Sequence, residues 1–262
     1  MDDPVLLTGA GGRVGQAILH NLADEYEWRL LDREPLPSNR VPDAVDDDDL
    51  YVADVTDEEA VREATDGVGA VVHLAGDPRP EAPWDSVLRN NIDGTQILLD
   101  AAVDAGVERF VFASSNHAVG HYETDRKPDL YRSHDDFRLD GTELPRPGNL
   151  YGVSKATGEI LGRYYHDEHD LSVVCVRIGN LTEDHPPRNY ERGQAMWLSY
   201  RDCAHLFERS IIADYGFEIV YGISDNDRKY YSLERARDVL DYDPQDNSAH
   251  YDGEERVLEP DA

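Results

Sequence analysis

Seven short apolar runs recur along the chain, at Val5-Leu7, Trp28-Leu31, Tyr51-Ala53, Ala70-Leu74, Phe110-Ala113, Val173-Val176 and Ile219-Tyr221, with helix-length segments between them. Runs that are continuously apolar, without polar alternation, suit parallel strands covered by helices on both faces. The expected fold class is therefore α/β, a doubly wound parallel sheet. Val87 to Ala105 reads as one amphipathic helix with Leu88, Ile92, Leu98, Leu99 and Ala102 near one face. Two stretches break the rhythm, the Pro-rich then acidic 33–50 and the Pro- and charge-rich 120–149, and both read as surface loops. At 262 residues the chain is long enough for one sizeable core and short for two independent domains.

After the first run comes Thr8-Gly9-Ala10-Gly11-Gly12-Arg13-Val14-Gly15, followed by a helix over Gln16 to Leu22. Gly9 allows the tight turn, Gly12 lets backbone approach a pyrophosphate, and Gly15 permits close helix-strand packing, with the anion at the helix N-terminus. A glycine triplet alone is also an ordinary turn. Here a strand precedes it, a helix follows, and Asp32 ends the next strand 23 residues after Gly9. That carboxylate can accept hydrogen bonds from the adenosine ribose and repels a 2′-phosphate, so NAD is the expected cofactor. Arg33 beside it leaves minor use of NADP open. Asp54-Val55 falls where adenine would be bracketed, and Leu74-Ala75-Gly76 where small residues let a dinucleotide cross the sheet edge. The fold thus reads as Rossmann-like.

The strongest chemical signal is Tyr151-Gly152-Val153-Ser154-Lys155 at a helix start, with Ser114-Ser115 at the end of the fifth run. Tyr151 and Lys155, four apart, share a helical face. A free tyrosine titrates near 10, and a neighbouring ammonium and a nicotinamide cation both favour phenolate. Tyr151 is thus the expected acid/base and Lys155 its partner and a ribose ligand. Ser115, at a strand's C-terminal end where open α/β sheets place ligands, would hold the reacting oxygen.

The Gly-x-x-Gly-x-x-Gly turn and the Ser-Tyr-x-x-x-Lys set, in this order, resemble the extended short-chain dehydrogenases/reductases over nearly the whole chain. That resemblance implies a dinucleotide-binding core over 1–176 and a mainly substrate-binding cap over 177–262, with a strand near 217–223 returning to the sheet. It also implies that Asn91, in Asn90-Asn91-Ile92-Asp93-Gly94-Thr95, supports the lysine through water, and that Arg177-Ile178-Gly179-Asn180 lies beside the nicotinamide. Ala113-Ser114-Ser115-Asn116-His117-Ala118-Val119-Gly120 and Trp197-Leu198-Ser199 resemble the uronate dehydrogenase branch. Gly76 to Trp84 and His185-Pro186-Pro187-Arg188 are similar to the branch of NAD-dependent glucose-6-phosphate dehydrogenases of halophilic archaea. The implied reaction is oxidation at C1 of glucose 6-phosphate, with uronate oxidation as the competitor.

An anionic sugar needs cations to hold it. Arg192, five residues before Trp197, falls where the uronate enzymes place a carboxylate-binding arginine, and Arg79 and Arg188 lie on loops expected to face the same cleft. Several guanidinium forks suit a phosphate better than a carboxylate. His117 and Asn180 are expected to meet the sugar as well. The resemblance also implies that the length after Arg177 is too small for the nucleotide-gripping part of a nucleotide-sugar epimerase. A cofactor-sensing regulator would not need Tyr151 with Lys155.

Lys and Arg total 25 against 55 Asp and Glu, a formal charge of -30. The like charges oppose compaction in dilute buffer and are screened at high salt, which points to a salt-rich cytosol. The same balance argues against nucleic acid and anionic membranes as partners, leaving a small sugar phosphate and further copies of the chain as the candidates. Asp46 to Asp49 read as a solvated acidic turn, and no metal site is expected. Cys175 and Cys203 lie in apolar contexts, no run approaches a membrane span, and the N-terminus reads as a strand, so the expected location is cytoplasmic.

Overall fold

A computed structural model describes residues 3–127, 129–132, 137–183, 185–187 and 191–251. All seven apolar runs become strands of one sheet: β1 Val5–Thr8, β2 Trp28–Asp32, β3 Leu50–Val52, β4 Ala70–His73, β5 Arg109–Ser115, β6 Ser172–Ile178 and, later in the chain, Phe217–Gly222. Two short strands, β7 Asn180–Leu181 and β8 Trp197–Leu198, pair with each other outside it, which makes Phe217–Gly222 β9. The order is β3-β2-β1-β4-β5-β6-β9, parallel throughout.

Side-chain alternation along each strand builds two cores. Val5 and Leu7 of β1, Val111 of β5 and Val174 and Val176 of β6 face α1 (Arg13–Leu22) and the later helix Tyr200–Ile212. Leu6, Phe110, Phe112, Val173 and Cys175 face the opposite layer, formed by α2 (Glu58–Thr65), α3 (Gly94–Asp104) and α4 (Leu150–His169). With both faces covered, every central strand must be apolar on both sides, hence the unbroken runs. The helix Tyr200–Ile212 is α5, and Glu234–Leu240 is α6.

The helix starts are treated differently. Asp57 caps α2, Asn149 caps α4 and Ser199 caps α5 through side-chain acceptors. α1 starts from Gly12 with no side-chain cap, so its first N–H groups stay open toward the C-terminal edge of the sheet. There β1 has β2 on one side and β4 on the other, and the connections leave to opposite faces, which opens a crevice.

Two expectations need revision. Val87 to Ala105 is not one regular helix: Val87–Asp93 is a π-helical turn running into α3. The wider turn rotates the register, so that Val87 and Asn91 are buried while Leu88 and Ile92 are half-buried. Segment 120–149 is not simply a surface loop, since Glu123, Leu130, Tyr131 and Leu139 are buried and Leu139 bridges to Tyr231. Segment 33–50 is a largely exposed loop as expected, and it also sends Leu36, Pro37 and Arg40 to the crevice. β6 runs through the expected boundary at 176, so the chain after it supplies both the edge strand β9 and the loops over the sheet.

Candidate active site

The crevice is a cleft of about 740 Å³ at the C-terminal ends of β1, β2, β4, β5 and β6, within the size range of small-molecule sites. Its floor is the glycine turn. Gly9 has φ +71°, and a Cβ there would lie 2.8 Å from the Ala75 nitrogen, so both the conformation and the contact require glycine. A Cβ on Gly15 would lie 2.6 Å from the Ala10 carbonyl oxygen, which fixes the close packing of α1.

Of the residues expected to hold a dinucleotide, Gly9, Gly12, Arg13, Val14, Gly15, Asp32, Arg33, Asp54, Val55, Leu74, Ala75, Gly76, Ser114, Tyr151, Lys155 and Ile178 line this cleft. Asp32 accepts from the Gly11 N–H at 2.9 Å, which fixes its carboxylate beside the glycine turn. Arg40, not foreseen from the sequence, lines the same end, and its guanidinium donates to the Gly11 carbonyl at 3.4 Å. Asn91 lies behind the lining, buried in the π turn. It accepts from the Asp77 N–H at 2.6 Å and donates to the Asp77 carbonyl at 3.1 Å and to Ser154 Oγ at 2.9 Å. It therefore anchors the Gly76-Asp77 loop to α4. Ser114 Oγ turns to Glu159 at 2.6 Å, within a buried group where Glu159 also accepts two hydrogen bonds from Arg177.

Tyr151, Lys155 and Ser115 line the same cleft, where the end of β5 meets the start of α4. Burial pushes the Tyr151 phenol above its ordinary value, the contact with Ser115 opposes that, and the nearby Asp77 charge adds to it. Burial pulls the Lys155 ammonium down to about 8. Its Nζ donates to the Ala113 carbonyl at 2.7 Å and lies 5.8 Å from the centre of the Tyr151 ring. Tyr151 is thus raised where the sequence led us to expect it lowered, with desolvation as the main cause.

Behind the cleft, His73 is fully buried between Thr8 Oγ1 at 2.8 Å and Thr95 Oγ1 at 2.9 Å, and burial, with Lys155 adding, holds it down to about 3. Since Thr95 donates to the Asn91 carbonyl at 2.6 Å, it must accept from His73 Nε2, which leaves Nδ1 to accept from Thr8.

Of the residues expected to meet a substrate, Asn180 lines the cleft, whereas His117 lies off the lining and stands edge-on to the Tyr151 ring, with centres 5.5 Å apart. Arg79 does not line it. Its guanidinium pairs with Asp77 through two hydrogen bonds of 2.9 and 2.6 Å, and these hold the Asp77 carboxyl well below the usual range. Arg192 also lies off the lining and donates to Glu123, which further accepts from the hydroxyls of Tyr131 and Tyr230. Burial pushes the Glu123 carboxyl up, but these partners outweigh it and keep it low. Arg188 falls outside the described residues. Asn116 and Asn149 were not foreseen. Asn116 is buried against Met196, and its Oδ1 has no partner among the described residues. Neither lies in a periodic pattern; only the position of Asn116 next to Ser115 could have marked it.

A tyrosine and a lysine one helical turn apart, above a strand-end serine and a glycine turn, describe an oxidoreductase of the short-chain dehydrogenase/reductase class. Residues 5–201 match the model of the NAD dependent epimerase/dehydratase family, and the chain belongs to it. It is 76% identical to the NAD-dependent glucose-6-phosphate dehydrogenase of Haloferax volcanii over 99% of each chain. It is 33% identical to the uronate dehydrogenase of Pseudomonas syringae over 93% of this chain and 82% of the relative. The crystal structure of glucuronic acid dehydrogenase from Chromohalobacter salexigens superposes with a TM-score of 0.82 at 33% identity, covering 95% of this chain and 86% of the other.

Proposed function

We propose that the protein oxidises glucose 6-phosphate to 6-phosphogluconolactone, with Tyr151 as acid/base. The observation that carries this reading is the full-length likeness to the Haloferax volcanii enzyme at 76% identity. The glycine turn, the uncapped start of α1 and Asp32 would hold NAD, and the glycines let that turn pack tightly against Ala75 and Ala10. When bound, NAD supplies the acceptor for the hydride lost from C1. The chain's own part is the proton. The C1 hydroxyl, held by Ser115, gives its proton to Tyr151 Oη as the C1–H bond breaks, and the C1–O bond becomes the lactone carbonyl. The Lys155 ammonium favours the phenolate in that step, and its bond to Ala113 keeps it oriented. His117, Asn180 and the open Asn116 Oδ1 offer hydrogen bonds to sugar hydroxyls. Arg192, whose charge acts on His117, is the cation we assign to the phosphate, with Arg188 as its helper.

Uronate oxidation is the second reading, favoured by the uronate relatives at 33–35% identity. A panel of glucose 6-phosphate, glucuronate and nucleotide sugars, with NAD at high KCl and NADH absorbance as readout, separates the two. Turnover on glucose 6-phosphate well above the others is expected, and turnover on glucuronate alone would overturn the assignment. Function in the cytoplasm is part of the proposal; among the described residues no helix is long and apolar enough to cross a membrane.

A further inference from the structure

We propose that Asn149 is a positioning residue that fixes His117 as a neutral imidazole with its proton on Nε2, a hydrogen-bond donor for a sugar hydroxyl. The donor role rests on the sugar-oxidising reading above; the tautomer does not.

Asn149 is the cap of α4. Its Oδ1 accepts from the Gly152 N–H at 2.7 Å. A backbone N–H can only donate, so the side-chain atom facing it must be the carbonyl oxygen, and the orientation of the amide follows. The other end, Nδ2, therefore faces His117 Nδ1 at 2.9 Å. An amide NH₂ only donates, so Nδ1 must accept and carries no proton. The one proton of a neutral ring is then on Nε2.

The surroundings keep the ring neutral and still. Burial, and then the Arg192 charge, push the His117 imidazolium down, while Glu123 opposes them. The ring meets Tyr151 edge-on. The His117 N–H donates to Ser115 Oγ at 3.2 Å, and the His117 carbonyl lies against Gly152 so closely that a Cβ there would be 2.3 Å away. One amide thus ties the start of the helix that carries Tyr151 and Lys155 to the loop that carries Ser115 and His117.

The cap and the donor can be separated. Asn149→Ser keeps a good capping oxygen but is too short to reach His117. Asn149→Asp keeps the cap and turns a donor into an anion facing Nδ1. Imidazole ¹⁵N shifts, with the His117 signal identified by its loss in His117→Gln, should show the wild type protonated at Nε2 alone. Asn149→Ser should give mixed tautomers, an unchanged unfolding midpoint, and a KM for glucose 6-phosphate raised roughly three- to tenfold, as for one neutral hydrogen bond, with kcat changed less than twofold. In Asn149→Asp the group facing Nδ1 can only accept, so the ring should carry a proton on Nδ1. A wild-type His117 protonated at Nδ1, or an Asn149→Ser variant with wild-type tautomer and KM, overturns the proposal. Wild type without turnover on glucose 6-phosphate would sink the assigned reaction while the ¹⁵N result still decides the tautomer.

Discussion

Tyr151 sits in a desolvated setting that favours the neutral phenol, so the proton transfer assigned to it depends on charge supplied within the site. Tyr151→Phe should lower turnover at least about a hundredfold, the low end for acid/base catalysis, and leave NAD affinity, read by fluorescence titration, nearly unchanged; full activity would end the assignment. Asp32→Ala should weaken NAD and raise relative use of NADP, measured as the ratio of kcat/KM values. Arg33 and Arg40, both on the lining, are the cations left to meet a 2′-phosphate in that variant. His73 gives a pH signature. As pH falls, an unfolded histidine takes its proton near 6.5, whereas the buried one resists to about 3. The unfolded chain binds the proton first, so stability falls with pH across that window, by up to about 1.4 kcal/mol per unit. Urea unfolding between pH 6.5 and 5 should show a shallower loss in His73→Gln than in wild type. Tyr151, Lys155, Ser115 and Asp32 were legible in the sequence because strand ends and one helical turn bring them to the cleft. Asn116, Asn149, Asp77, Glu123 and Arg40 were not, because irregular segments place them by contacts far along the chain. Arg79 was expected to face the cleft; a partner only two residues away, Asp77, holds it off the lining instead.

At the scale of elements, the seven strands were readable from unbroken apolar runs, and the start of α4 from its motif. The π turn was not, because an i to i+5 turn has no pattern that distinguishes it from an α-helix before its neighbours are known. Its consequence is local and chemical, since it turns Asn91 inward to the Gly76-Asp77 loop. Packing decides the glycines of α4. An Ala at position 158 would gain about 1 kcal/mol in helix propensity, yet its Cβ would lie 2.2 Å from the Phe112 ring. Gly158→Ala should therefore lower the thermal midpoint, and Phe112→Leu in the same chain should recover part of the loss. A midpoint raised by Gly158→Ala alone would mean that α4 shifts freely on the sheet.

For the molecule as a whole, charge is the governing quantity. With a net -30, the unfolding midpoint should rise steeply from 0.1 to 2 M KCl, as the screening length falls to about 3 Å near 1 M. Sucrose, which excludes itself from surfaces without screening charge, should be a poor substitute. Equal rescue by sucrose would show that burial, not repulsion, limits the fold. The all-parallel sheet carries a consequence in time. Neighbouring strands are joined only through long crossovers, and β9 closes against β6 after the intervening β7, β8 and α5 have been laid down. Chains that must find such distant partners fold slowly. In dilute salt this one must do so while its segments repel each other, so refolding from denaturant should be a race against aggregation that only a brine-like solvent lets it win.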